Sequence, residues 1–255
     1  MIDFHSHILC GIDDGADDLD ESVAMARALH AAGFETIYCT PHLIKGCFDA
    51  DNRAIVSAVS SLQTALREAN IPLDIQPGRE HYLDEFLDGY LQDPMPLGGT
   101  PYLMIEIPNN TPEEYVKESC FKIKRSGFVP MIAHPERCRL FAAPVQSRPS
   151  RFAFSRADDK NAGLINAENG LIDYLKDIGC AFQGNFGSFH GMYGPEVQHT
   201  ANLLKKHNLF THYGTDAHSL KAVNFITDKQ GAPWPARSEA NGDKRHWIPA
   251  KPTPE

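Results

Sequence analysis

Apolar positions along the chain fall into two alternating rhythms. Met1, Ile2 and Phe4 open a short strand on which His5 and His7, two residues apart, project from the same face. Residues 18–34 then place Leu19, Val23, Ala26, Ala28 and Leu29 on one side of a helix that stops at Gly33. The alternation repeats. Strands over 35–42, 73–78, 102–107, 128–134, 180–185 and 210–218 are separated by helices over 54–69, 82–87, 112–125, 162–178 and 195–207. Seven apolar strands separated by helices imply a parallel sheet covered by helices, either a closed barrel or a doubly wound sheet.

Two stretches break the pattern. Residues 141–160 hold Pro, Ser and Arg148, Arg151 and Arg156, with Arg139 just before, and read as a long loop over one face. From Lys221 on periodicity fades, so the chain reads as one domain over 1–228 and a poorly ordered tail over 229–255. With 255 residues and 42% hydrophobic content, one large core is within reach.

Charge narrows the function. A net charge of -9 argues against nucleic acid or an anionic membrane as partner, and any anionic substrate then needs a local positive site. No apolar run approaches the roughly 20 residues of a membrane span, and the first strand carries neither the basic n-region nor the long h-region expected of a signal peptide. Six cysteines without a CxxC pair fit reduced thiols, and the expected location is cytoplasmic.

The ends of the strands carry the chemistry. His5, His7, His42, Glu80, Glu106, His134, Asp216 and His218 all fall there, where a parallel barrel gathers its functional groups. Burying so many imidazoles and carboxylates together without cations would be costly. Imidazole and carboxylate without thiolate suit Zn, Mn or Fe better than Ca, and the number of donors suits two or three ions.

The run HSHIL with DDG, TPH, PGRE, IE, AHPER, QGN and TDAHS resembles the polymerase and histidinol phosphatase (PHP) superfamily of metal-dependent phosphoesterases. Within it, the likeness is to the bacterial protein-tyrosine phosphatases of capsule and exopolysaccharide operons, over about residues 1–220. The resemblance implies a distorted (β/α)7 TIM-like barrel. It also implies one ion on His5, His7, Glu80 and Asp216, a second on Glu80, Glu106 and His134, and a third on Asp14, His42 and His218. Asp13 is the alternative to Asp14, since only the loop geometry decides between them. Arg137, Asp216 and His42 form the expected catalytic set, with Arg137 as a bidentate phosphate clamp. The implied substrate is phosphotyrosine on a protein, the tail of a bacterial tyrosine kinase of polysaccharide export.

A charge count supports the scheme. Three divalent ions against the carboxylates of Asp14, Glu80, Glu106 and Asp216 leave an excess of about two positive charges, which attracts a phosphate dianion. A water held between two such ions loses a proton near neutral pH and is ready for in-line attack on phosphorus.

Other features compete for attention. Cys47 and Arg53 have the C-x5-R spacing of cysteine-dependent phosphatases, but Asp49 and Asp51 between them would repel a dianion and no glycine lies inside the loop. His190, His199, His207 and His212 lie off the strand-end positions and read as solvated or structural, with His190 able to approach the rim. The stretch NFGSFHGMYG offers either backbone donors or a turn. The phosphatases resembled here carry an arginine a few residues after DAH and then another helix. Lys221 stands in for that arginine without its bidentate fork. Without the helix, one flank would be left for Phe225, Ile226 or a second copy of the chain to cover. Two rival readings are a small-molecule phosphatase such as histidinol phosphatase, and a non-catalytic metal-stabilised binding module.

Overall fold

The computed structural model describes residues 1–142 and 170–228. Its strands are β1 (Ile2–Ser6), β2 (Thr36–Cys39), β3 (His42–Leu43), β4 (Asp74–Pro77), β5 (Glu80–Tyr82), β6 (Tyr102–Glu106), β7 (Val129–Ala133), β8 (Ala181–Asn185) and β9 (His212–Gly214). The helices are α1 (Leu19–Ala31), α2 (Asn52–Glu68), α3 (Leu87–Tyr90), α4 (Glu113–Arg125), α5 (Gly170–Asp177), α6 (Phe186–Phe189), α7 (Pro195–Lys206) and α8 (Leu220–Thr227). All strand pairs are parallel, in the orders β1-β2-β4 and β3-β5-β6-β7-β8-β9.

The two sheets are arcs of one distorted (β/α)7 barrel. The strand expected over 35–42 is interrupted at Thr40–Pro41 between β2 and β3, and the one expected over 73–78 ends as β4 at Pro77, with β5 following beyond Gly78–Arg79. Proline has no amide hydrogen to give the ladder, yet the Pro41 carbonyl still accepts from Glu80 N at 3.2 Å. The ring closes where Asp216 N donates to His5 O (2.7 Å) and His7 N to Ala217 O (3.1 Å).

Helix positions follow local chemistry. Asp18 caps α1 by accepting from Glu21 N, and Asp51 caps α2 by accepting from Ala54 N. Along α2, Ile55, Val59, Leu62 and Leu66 recur at helical spacing and are buried against the β1-β2-β4 arc. A second apolar layer joins β6, β7 and β8 to α4 and α5. Inside the ring, Phe4, Leu97, Met104, Met131, Ala133 and Ala181 fill the lower part.

The final helix corrects the expectation that periodicity is lost from Lys221. Ser219 caps α8 by accepting from Ala222 N, and Val223 and Ile226 are buried in the layer that also holds α1. Only two apolar residues one turn apart are needed to seat so short a helix, too few to register as a period. Val223 and Ile226 thus cover part of the flank that the sequence left to Phe225, Ile226 or a second copy of the chain, while Phe225 stays exposed. A smaller correction concerns the helix expected over 82–87, where the chain instead finishes β5 and begins α3 at Leu87. Most of the 141–160 loop and the tail lie outside the described residues. Among the described residues, no helix is long and apolar enough to cross a membrane.

His212 illustrates what the packed interior costs a titratable group. Its ring stands edge-on to Phe4 (4.5 Å between centroids) and to Tyr102 (4.6 Å). Burial lowers its pKa to about 4 from the usual 6.5. The folded state resists a proton that the unfolded chain accepts, so stability is intact above about pH 6.5 and falls as pH drops toward 4, by up to about 3 kcal/mol. Denaturant titrations at pH 7 and pH 4.5 should show a smaller acid loss for His212→Leu than for the parent. Equal losses would disprove this source of acid sensitivity.

Candidate metal centre

The C-terminal ends of the strands converge on one face, as the sequence implied. His5 lies on β1 and His7 just after it, His42 opens β3, Glu80 opens β5, Glu106 ends β6, His134 follows β7, and Asp216 and His218 follow β9. A register slip between Asp3 and Ser6 helps the first strand. It lets Phe4 join the interior row with Ala181 while His5, the next residue, reaches Gln183 two positions further along the same face of β8.

His5, His7, Glu80 and Asp216 form the tightest group, all buried. The two Nε2 atoms of His5 and His7 are 3.1 Å apart. Glu80 Oε2 lies 3.2 and 3.4 Å from them, and Asp216 Oδ1 lies 3.3 Å from each. Four donors at ~2.0–2.1 Å from a tetrahedral ion stand roughly 3.3–3.4 Å from one another, so the spacing fits a transition metal.

Outer contacts aim these donors. His5 Nδ1 meets Gln183 Oε1 at 2.9 Å and His7 Nδ1 meets Asp13 Oδ2 at 2.7 Å, which leaves both Nε2 atoms turned inward. Asp13 also accepts from Gly15 N and His42 N. That separates the two aspartates the sequence left open: Asp13 orients His7, while Asp14 Oδ1 faces His42 Nε2 (3.6 Å) and His218 Nε2 (3.5 Å). Asp216 Oδ2 is held by Asn185 Nδ2 (2.9 Å) and by the Arg137 guanidinium. Asp216 and His134 both adopt left-handed backbone, with φ of +51° and +30°, a conformation uncommon outside glycine.

Two further groups adjoin the first. His7, Asp14, His42 and His218 form one, in which the His7 and His218 rings stack at 3.8 Å. His42, Glu80 and Glu106 form the other. The resemblance had put His134 with Glu80 and Glu106. In the structure His134 Nε2 meets Glu80 Oε1 (3.0 Å), whereas His42 Nδ1 lies 3.0 Å from Glu80 Oε2 and 4.0 Å from Glu106. Glu80 thus splits its two oxygens between opposite walls of the site. Buried Glu80 Oε2 and His42 Nδ1 make no hydrogen bond despite their proximity, as two metal donors would.

Electrostatics show the same need for cations. Burial works against a charged His5, yet the Glu80 and Asp216 carboxylates outweigh it and raise its pKa to about 9. Burial and the neighbouring Glu80 push Glu106 up to about 7. Burial and then the Arg137 charge lower His134 to about 4. The Glu80 and Asp216 carboxylates thus favour a positive charge beside His5, which a bound ion would supply to neutral imidazoles.

Other sequence candidates fall outside this cluster. Lys221 is exposed on α8, with no ion pair to the clustered groups among the described residues. The Arg53 side chain is 94% exposed and turned to Asp51, so Cys47 and Arg53 do not build a phosphate cradle. His199 is exposed on α7. NFGSF resolves into the short helix α6, capped by Asn185. Gln183 and Asn185, within QGN, and Tyr193, within NFGSFHGMYG, carried no individual role in the sequence reading. The first two left a signal, as polar residues alternating on an otherwise apolar strand; Tyr193, in a loop, left none.

Comparison with known proteins agrees with this geometry. The family described as "Capsular polysaccharide synthesis, CpsB/CapC" matches residues 1–147. The tyrosine-protein phosphatase YwqE of Bacillus subtilis is 32% identical over 231 residues, 90% of this chain and 82% of that protein. CpsB of Streptococcus pneumoniae, also a tyrosine-protein phosphatase, is 31% identical over 54% of this chain and 57% of its own length. A crystal structure from a study of YwqE and CpsB, described as unique metal-dependent tyrosine phosphatases, superposes with a TM-score of 0.72 at 31% identity, covering 89% of this chain and 83% of the other. The histidinol phosphate phosphatase of Lactococcus lactis, solved with zinc, histidinol and phosphate, shares the fold at TM-score 0.50 and 16% identity, over 90% and 93% of the two chains. Matched over more than half its length by the family and along 90% of it by the Bacillus phosphatase, the chain belongs to the CpsB/CapC family.

Proposed function

We propose that this chain is a metal-dependent protein-tyrosine phosphatase, acting in the cytoplasm on the phosphotyrosine tail of a bacterial tyrosine kinase of capsule or exopolysaccharide export. The observation that carries the reading is the run of three adjoining donor groups joined through His7, His42 and Glu80. Such a run suits two to three ions of Mn, Zn or Fe. When bound, the ions supply Lewis acidity to the phosphoryl group and to water.

The chain's own residues do the rest. Gln183 and Asp13 hold the two imidazoles of β1 with Nε2 inward, and Asn185 fixes the carboxylate of Asp216. Arg137 gives one N–H to Asp216 and keeps 30% of its side chain exposed, and among the described residues its other N–H donors have no further hydrogen-bond partner, which suits them to phosphoryl oxygens. Among the described residues, Arg137 is the lysine or arginine that touches the clustered groups, which supports a role for it beside the ions in holding a dianion. A phenolate departs without strong acid help, which suits aryl over alkyl phosphates.

The test compares kcat/KM for a phosphotyrosine peptide and for histidinol phosphate, with metal stripped by chelation and then restored. The expected result is a preference for the peptide of tenfold or more, about 1.4 kcal/mol in transition-state binding, with activity lost on chelation and recovered with Mn, Zn or Fe. A tenfold preference for histidinol phosphate would move the chain to the small-molecule class. Activity indifferent to chelation would end the metal reading altogether.

A further inference from the structure

We infer that Tyr193 is a positioning residue: its ring is the platform that holds the Arg137 guanidinium in place beside the metal centre. The inference rests on the phosphatase reading of Arg137 and gives a specific role to a residue of the NFGSFHGMYG stretch.

Five contacts build the platform. Arg137 Cζ lies 4.4 Å from the centroid of the Tyr193 ring, well inside cation–π range. The Tyr193 hydroxyl accepts from Asn185 Nδ2 at 3.3 Å, and the same nitrogen donates to Asp216 Oδ2 at 2.9 Å. Asn185 N donates to Glu136 Oε1 at 2.9 Å, so the residue before Arg137 is tied to the same hub. Asn185 Oδ1 accepts from Gly187 N at 2.7 Å, which fixes the turn leading to Tyr193. Gly187 also makes room for the ring: a Cβ there would stand 3.2 Å from Tyr193 Cε2 and 3.0 Å from Met192 Sδ.

The need for a platform follows from the chemistry of arginine. A guanidinium on a long side chain has much rotamer freedom to lose, and its Asp216 partner alone would draw it toward the carboxylate and away from an incoming phosphate. The ring offers a planar contact that leaves the in-plane N–H groups free. Arg137 is thus held ready before substrate arrives, and the gain is in binding the phosphoryl group rather than in the bond-breaking itself.

The experiment measures KM and kcat for p-nitrophenyl phosphate, and the inhibition constant of inorganic phosphate, in the metal-loaded enzyme carrying Y193F, Y193L, R137A or Y193L with R137A. Y193F keeps the ring and should stay within about twofold of the parent. Y193L should raise KM and the phosphate inhibition constant on the order of tenfold, about 1.4 kcal/mol, with kcat and metal content nearly unchanged. In the R137A background, Y193L should add less than about twofold, because the platform then has nothing to hold. Should Y193L fold poorly, Gly187→Ala crowds the ring without removing it and should shift the same two constants in the same direction. The inference is overturned if Y193L leaves both constants unchanged, or multiplies them equally with and without Arg137. If R137A itself changes neither constant, the clamp fails and the platform with it, whereas loss of chelator sensitivity would instead mark failure of the metal reading.

Discussion

Enzyme carrying Glu80→Gln is expected to lose on the order of 10³-fold or more in kcat and to hold fewer metal ions per chain than the parent. One carboxylate here serves several neighbours. Its Oε2 stands 3.2 Å from His5, 3.4 Å from His7 and 3.0 Å from His42, while Oε1 stands 3.0 Å from His134. Glutamine keeps the volume but removes the negative charge and turns one oxygen into a donor facing imidazole nitrogens. Loss of a residue that only orients a ligand typically costs 10–100-fold, and a ligand shared between two donor groups must cost more. Elemental analysis and turnover of p-nitrophenyl phosphate on the same preparation check the result. Full metal content with parental turnover would remove Glu80 from the centre.

Much of this site was legible because a parallel barrel turns a one-dimensional signal into a place. Each strand is short and apolar, so a histidine or carboxylate at its end stands out, and the topology delivers every such end to one face. His5, His7, Glu80 and Asp216 needed no more than that. What stayed hidden depends on angles within loops. Asp13 and Asp14 are adjacent and chemically alike, and only the turn that brings Asp13 Oδ2 within 2.7 Å of His7 Nδ1 tells them apart. Tyr193 depends on the path of a loop, and the sharing of Glu80 between His42 and His134 depends on side-chain rotation. The closing helix α8 was missed for a different reason: its burial rests on Val223 and Ile226 alone, and tertiary packing supplies what an eight-residue segment cannot show as a period.

The glycine of the DDG turn carries the last large effect. Gly15→Ala is expected to destabilise the protein by about 3 kcal/mol and to take most of the activity with it. A glycine-to-alanine change at an unstrained position normally stabilises by ~0.4–1 kcal/mol, because the unfolded chain loses freedom. Gly15 has no positive φ to protect, so the sign is decided by space. A Cβ there would sit 2.0 Å from His7 O and 2.9 Å from His7 C and Cβ, and backbone cannot swing away as the end of a side chain can. The strain falls on the residue whose Nδ1 is held by Asp13 and whose Nε2 faces the metal group, and Gly15 N is itself the donor that fixes Asp13. Relief therefore requires moving His7, Asp13 or both, and either movement opens the site. Gly89→Ala is the control, since a Cβ there meets nothing within 4 Å, and it should be neutral or slightly stabilising. Thermal unfolding and phosphatase assays on the two variants decide the matter. A Gly15→Ala enzyme as stable and active as Gly89→Ala would mean that the close approach at His7 is not what makes glycine necessary in this turn.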